Sequence, residues 1–167
     1  LLASNLDYEN ANRILADMQA AGLAPDLETF KALILKAKDY RTKCIWLQRM
    51  KQKGLAPDLG TFNRLIRSAD DRLTRTRWLA KMKREGIQPD VATLNTLLER
   101  EREYGATVRW LERMEESGVR PDASTFDLLI EKSRDIATGM KWIDRMFEAG
   151  IQPDVLSFLT LFSKEVG

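Results

Sequence analysis

The 167-residue chain contains no histidine and a single cysteine, Cys44. Without histidine, the side chain that most often moves protons near neutral pH is missing. No Cys/His set with the spacing of a zinc site can be drawn. One cysteine excludes an intrachain disulfide framework and favours a reducing compartment. No glycine-rich phosphate loop is present. Apolar runs are only a few residues long, so nothing reads as a bilayer span, and no signal-like segment is evident. Charge is nearly balanced: 27 Lys and Arg against 25 Asp and Glu, a net of +2. There is no bulk basic bias, so the placement of charge must decide whether an anionic partner is served. These absences point away from an enzyme, and no cofactor, metal ion or membrane is expected.

What the chain does contain is periodic. Its five prolines are Pro25, Pro57, Pro89, Pro121 and Pro153, each 32 residues after the last and each followed by aspartate. Three residues before each proline stands Gly22, Gly54, Gly86, Gly118 or Gly150. The four tryptophans (Trp46, Trp78, Trp110, Trp142) keep the same period, as do five of the six methionines, from Met18 to Met146. Such self-similarity is the signature of a repeat array. The reading is one array over 1–167, with a partial repeat 1–26, repeats 27–58, 59–90, 91–122 and 123–154, and a partial repeat 155–167. A segment of a longer array is expected, with missing flanking repeats capping its ends and with Phe158, Leu161 and Phe162 otherwise uncovered.

Within one unit, Phe62, Leu65, Ile66 and Ala69 recur at i, i+3, i+4 and i+7, one face of a helix A. The aspartate after each proline suits the N-cap of that helix and its positive dipole end. A further acidic residue, at Asp7, Asp39, Asp71, Glu103 and Asp135, marks the turn and N-cap of a helix B. That helix carries Trp78, Leu79 and Met82, or their equivalents; Trp and Met at i and i+4 share a face. The glycine then ends helix B with positive φ, and proline prevents continuation. No strand pattern is present. The predicted fold class is all-α: an α-solenoid of stacked αα-hairpin repeats forming a right-handed superhelical segment, because one hairpin alone cannot bury both apolar stripes.

The run from Trp78 to Leu98, Trp-Leu-x-x-Met-x-x-x-Gly-Ile-x-Pro-Asp-Val-x-Thr-x-Asn-x-Leu-Leu, resembles the pentatricopeptide repeat (PPR), and five junctions repeat it. The units here are shorter than most in that family. The resemblance implies intracellular single-stranded RNA binding, one base per unit, and an organellar setting (mitochondrion or chloroplast) in a eukaryote. It pairs the residue after the helix A aromatic with the last residue of the unit: Lys31 with Asp58, Asn63 with Asp90, Asn95 with Asp122, and Asp127 with Asp154. The two Asn/Asp pairs resemble the family's uracil-type pair; Lys31 and Asp127 fall outside its usual code. Where the family commonly carries an aliphatic wedge, this chain has Glu28, Gly60, Ala92, Ser124 and Leu156.

Seven residues beyond the first readout position stand Lys38, Asp70, Arg102 and Arg134. An ideal helix would return them to nearly the same angle about two turns on. Lys38, Arg102 and Arg134 are therefore the expected phosphate contacts. A second basic ridge on helix B (Arg49, Arg77, Lys81, Arg109, Arg113, Lys141, Arg145) reads as a solvated exterior or as a surface for an anionic partner. The competing function is a protein–protein interaction scaffold, gripping a protein or peptide partner on the same surface.

Overall fold

A computed structural model describes residues 2–164 of the chain, with side chains described from Tyr8 onward. The described residues form ten α-helices and no strand: α1 (Leu2–Ala20), α2 (Leu27–Lys36), α3 (Tyr40–Gln52), α4 (Leu59–Arg67), α5 (Arg72–Arg84), α6 (Val91–Glu99), α7 (Tyr104–Glu116), α8 (Ala123–Lys132), α9 (Ile136–Glu148) and α10 (Val155–Phe162). Helices α2, α4, α6 and α8 are the helix A elements and α3, α5, α7 and α9 their helix B partners, each pair packed as a hairpin. The chain divides into two compact units, Leu1–Ile87 and Gln88–Gly167.

The boundaries are set locally. Asp26, Asp58, Asp90, Asp122 and Asp154 are the N-caps of α2, α4, α6, α8 and α10. Each carboxylate accepts the backbone N–H three residues on, from Thr29, Thr61, Thr93, Thr125 or Ser157, at 2.8–2.9 Å. One of the four orphan donors of each helix start is thereby satisfied. Asp39, Asp71 and Asp135 cap α3, α5 and α9 in the same way; Glu103 holds the N-cap position of α7 without a side-chain bond. At the other end, Gly54 sits at φ 75° while Leu55 N–H reaches back to Met50 O at 3.1 Å. That is the Schellman arrangement, which needs a left-handed residue that glycine supplies without strain.

The buried stripe matches the period. Met50, Met82, Met114 and Met146 are at most 1% exposed, and the four tryptophans at most 7%. In the second unit, Leu111 of α7, Phe126, Leu129 and Ile130 of α8, Trp142, Ile143 and Met146 of α9 and Leu161 of α10 make one continuous core. Neighbouring hairpins therefore share their apolar faces, as a stacked repeat requires.

Two expectations are corrected here. Asp7 lies inside α1, which runs unbroken, so it marks no turn. Extending a helix gains one hydrogen bond per residue, and the residues before Asp7 include no glycine or proline to stop it. Leu161, expected to be uncovered, is buried against Gly139 of α9, where a Cβ would overlap its side chain. Phe158 and Phe162 are exposed. Among the described residues, no helix is long and apolar enough to cross a membrane.

Candidate nucleic-acid interface

The paired positions predicted from the sequence meet in three repeats, each with different chemistry. In the repeat of α2, the Lys31 ammonium lies 2.9 Å from Glu28 Oε1 and 2.9 Å from Asp58 Oδ2. Glu28 first and then Asp58 hold the ammonium above its ordinary pKa. Burial works to raise the Asp58 carboxyl. The Thr61 hydroxyl (2.6 Å), the Lys31 ammonium and the Thr61 amide outweigh it and take the pKa to about 2. Lys31 is thus neutralised on both sides. Its spacing to Glu28 is the familiar i, i+3 ion pair, a signal present in the sequence but read there only as a missing wedge.

In the repeat of α6, Asn95 Nδ2 donates to Asp122 Oδ1 at 3.0 Å, and Asn95 Oδ1 accepts from the Thr125 hydroxyl at 2.7 Å. Both ends of the amide are engaged, which fixes its orientation. One Nδ2 hydrogen and one lone pair of Oδ1 are left beyond these two bonds. Burial works to raise the Asp122 carboxyl, but the hydrogen bonds from Asn95 and Thr125 outweigh it and hold the group below its ordinary value. A capping carboxylate and a positioned amide are therefore one structure: Asp122 caps α8 and orients Asn95 together.

In the repeat of α8, the Ser157 hydroxyl lies 2.7 Å from Asp127 Oδ1 and 3.2 Å from Asp154 Oδ1. Ser157 is 1% exposed; its single hydroxyl hydrogen goes to the nearer Asp127, while its backbone N–H donates to Asp154 Oδ1 at 2.9 Å, so the residue links the two carboxylates. The threonine or serine position thus joins the site in two repeats. Its recurrence at Thr29, Thr61, Thr93, Thr125 and Ser157 was legible, but its cross-repeat partner was not. Asn63 is half-buried on α4 and Asp90 caps α6. They belong to different units, and each is described within its own.

The geometric premise for the phosphate ladder does not hold. Helices α2, α6 and α8 end at Lys36, Glu99 and Lys132, before Lys38, Arg102 and Arg134 are reached. These three side chains, and Asp70, stand exposed on the connectors between helix A and helix B. After α6 and at the end of α8, a lysine of the following repeat donates to carbonyls at or just past the helix terminus. Lys132 Nζ donates to Glu101 O at 2.8 Å, and Lys164 Nζ donates to Glu131 O and Ser133 O at 2.7 and 2.8 Å. A cation at a helix C-terminus satisfies orphan carbonyls and suits the dipole. Lys132 and Lys164 stand one period of 32 residues apart.

The helix B ridge is in large part stacked. The Arg49 guanidinium lies 5.2 Å from the Tyr8 ring and 5.1 Å from the Trp46 ring, Arg113 4.8 Å from Trp110, and Arg145 5.5 Å from Trp142. Arg77 lies 5.7 Å from Tyr40, whose own ring packs 4.4 Å from Trp78. Cation–π contacts of this kind hold these guanidiniums against the aromatic rings, and Arg145 is further paired with Glu115 at 2.7 Å.

A family profile described as the pentatricopeptide repeat domain matches residues 13–72 and 77–135. No curated protein matches the chain. Among solved structures, the maize pentatricopeptide repeat protein PPR10 is similar at 25% identity and a TM-score of 0.78, over 93% of this chain and 24% of that one. PPR10 in complex with an 18-nt psaJ RNA element is similar at 20% identity and a TM-score of 0.66, over 96% and 26%. The PPR domain of Arabidopsis thaliana protein-only RNase P 1, in complex with tRNA, is similar at 17% identity and a TM-score of 0.64, over 99% and 94%. The chain thus spans about a quarter of the maize structures and nearly all of the plant RNase P repeat domain. With the profile covering most of its length and the hairpins and caps placed as the period demands, the chain belongs to the pentatricopeptide repeat family.

Proposed function

We propose that this module binds single-stranded RNA along its helix A positions, with uracil read at Asn95 and Asp122. The observation that carries the reading is the Asn95–Asp122–Thr125 network, which presents one donor beside one acceptor in a fixed orientation. The uracil edge offers N3–H beside a carbonyl oxygen, the complementary pair. Asn63 with Asp90 repeats the same residue types. The PPR10 structures with RNA and the RNase P repeat domain with tRNA support an RNA partner for this architecture. Lys38, Arg102 and Arg134 supply phosphate contacts from the exposed connectors. The function is binding, with chemistry left to other proteins or domains.

A second reading, a protein-interaction scaffold on the same surface, draws on one observation: Lys31 is already matched by Glu28 and Asp58, a mixed-charge surface suited to a peptide. Fluorescence anisotropy with a labelled uridine-rich strand separates the two. Three phosphate contacts predict a slope of log affinity against log salt near −2, at about −0.7 per contact. Asn95→Ala should weaken the uridine strand by about tenfold, one good base contact. The absence of any shift with any single strand at low salt would rule out RNA binding.

A further inference from the structure

Charge on the helix B elements changes sign between the two compact units. Residues 1–87 hold 17 Lys and Arg against 10 Asp and Glu, and residues 88–167 hold 10 against 15. Most of the difference sits on helix B. Helix α3 carries four basic residues and α5 six, with no acid on either. Helices α7 and α9 carry two basic residues each, against three and two acids. The reversal falls on equivalent exposed positions. One and two periods on, Arg84 gives way to Glu116 and Glu148, Lys83 to Glu115 and Phe147, and Ala80 to Glu112 and Asp144. Among the described residues, Arg84, Glu116, Asp144 and Glu148 form no ion pair, so the fold itself makes no use of these charges.

Each unit adds an apolar element to its charge. In the second unit, α9 exposes Met140 (40%) and Phe147 (52%), about two turns apart on one face of the helix. Asp144 and Glu148 stand exposed on the same face, one on either side of Phe147 along the chain. In the first unit, a groove of about 520 Å³ runs between α3 and α5. Ile45 and Leu47 give it an apolar lining, and Arg41 and Lys81 give it positive charge; Lys51 and Glu85, also in its wall, neutralise one another at 2.7 Å. An aromatic side chain flanked by acids is the counterpart of an apolar groove flanked by cations. Interfaces concentrate their binding energy in such an anchor and pocket, with charge around them.

We infer that the groove between α3 and α5 receives α9 of a second copy of this chain, with Phe147 seated in it and with Asp144 and Glu148 against Arg41 and Lys81. A second copy fits better than a nucleic acid. It brings both the acids and the apolar side chain that the groove takes, whereas a phosphate backbone brings charge alone. The charges steer the encounter and disfavour the meeting of two α3–α5 faces. Because each copy carries both surfaces, the contact either closes as a reciprocal pair or runs on as a chain of copies. This surface is separate from the helix A positions, and the inference does not rest on RNA binding.

Sedimentation velocity of the whole chain over a concentration series tests this. It is run at about 0.1 M and about 1 M salt, between which the screening length falls from about 10 Å to about 3 Å. Wild type should self-associate with a Kd of about 10 μM at the lower salt, and about tenfold more weakly at the higher. Phe147→Ala should weaken association by about tenfold or more. Two charge reversals, Arg41→Glu with Lys81→Glu and Asp144→Lys with Glu148→Lys, should each leave the chain monomeric with an unchanged circular dichroism spectrum. Mixed in equal amounts, the two reversed chains should associate with each other, since each offers the charge the other lacks; a purely structural defect would not be restored by mixing. A wild-type chain that stays monomeric at about 100 μM and the lower salt, well above the expected Kd, would overturn the inference. So would association that survives Phe147→Ala and both reversals unchanged. If wild type is monomeric and Arg41→Glu with Lys81→Glu instead weakens a uridine strand, the face belongs to RNA and the inference fails.

Discussion

Replacing Asp122 in two ways separates its two jobs. Asp122→Ala removes the N-cap of α8, which costs about 1 kcal/mol. It also strips Asn95 Nδ2 of its acceptor at 3.0 Å in a half-buried setting, adding about 1 kcal/mol. The sum is about 2 kcal/mol. Asp122→Asn retains an equally good cap and an oxygen for both Thr125 N–H and Asn95. It loses only the charge and its attraction to the helix N-terminus, about 0.5 kcal/mol. Urea unfolding followed by circular dichroism gives the comparison. Repeat arrays unfold as coupled local units, so the readout is the midpoint shift of the α6–α8 region, best isolated by hydrogen exchange at the α8 amides. The expected order is wild type, then Asp122→Asn close below, then Asp122→Ala well below. Equal destabilisation by the two substitutions would refute the capping argument, because only a role that requires the charge would treat amide and methyl alike.

Two further outcomes are expected. The capping carboxylates Asp26, Asp58, Asp71, Asp122, Asp135 and Asp154 all have folded pKa values below their ordinary 3.8. Their stabilisation is therefore present above about pH 4 and lost as pH falls toward the folded values, about 2 for Asp58. Asp58 is nearly half exposed, which screens a full shift of about 2.4 kcal/mol to about 1 kcal/mol. Acid titration of the Asp58→Asn variant should show a shallower loss of helicity between pH 4 and pH 2 than wild type (about two pH units), and identical curves would contradict this. The tryptophans differ in their indole N–H groups: that of Trp110 donates to the buried Glu101 at 3.2 Å, whereas that of Trp78 is buried without a partner among the described residues. Trp110→Phe should cost about 1–2 kcal/mol more than Trp78→Phe in thermal or urea unfolding, and equal costs would show that the Glu101 bond contributes nothing net.

The Asp caps, the positive-φ glycines and the Trp and Met stripes were all legible, because a cap or a helical face is set within four residues of chain. The pairing of Asn95 with Asp122 was legible only as a resemblance. That Thr125 locks the far end of the same amide was not, since the two residues lie 30 positions apart. Arg77, Arg113 and Arg145 of the ridge are exposed, as a solvated face would be; that these guanidiniums also lie over aromatic rings was not legible, because sequence spacing does not show a side chain folding back. The phosphate ladder was placed on helix A by extrapolating a helical angle past the point where the helix stops.

The primary structure by itself determined the repeat, its two-helix unit and the residues that start and stop each helix, because these depend on short-range hydrogen bonds and backbone strain. Only the tertiary structure decided which side chains occupy each slot together. Lys31 is closed between two carboxylates, Asn95 is oriented by a carboxylate and a hydroxyl, and Asp127 is tied to Asp154 through Ser157. Those outcomes follow from distances of about 3 Å across stacked repeats. Packing fixes such distances, and no reading of a single helix contains them.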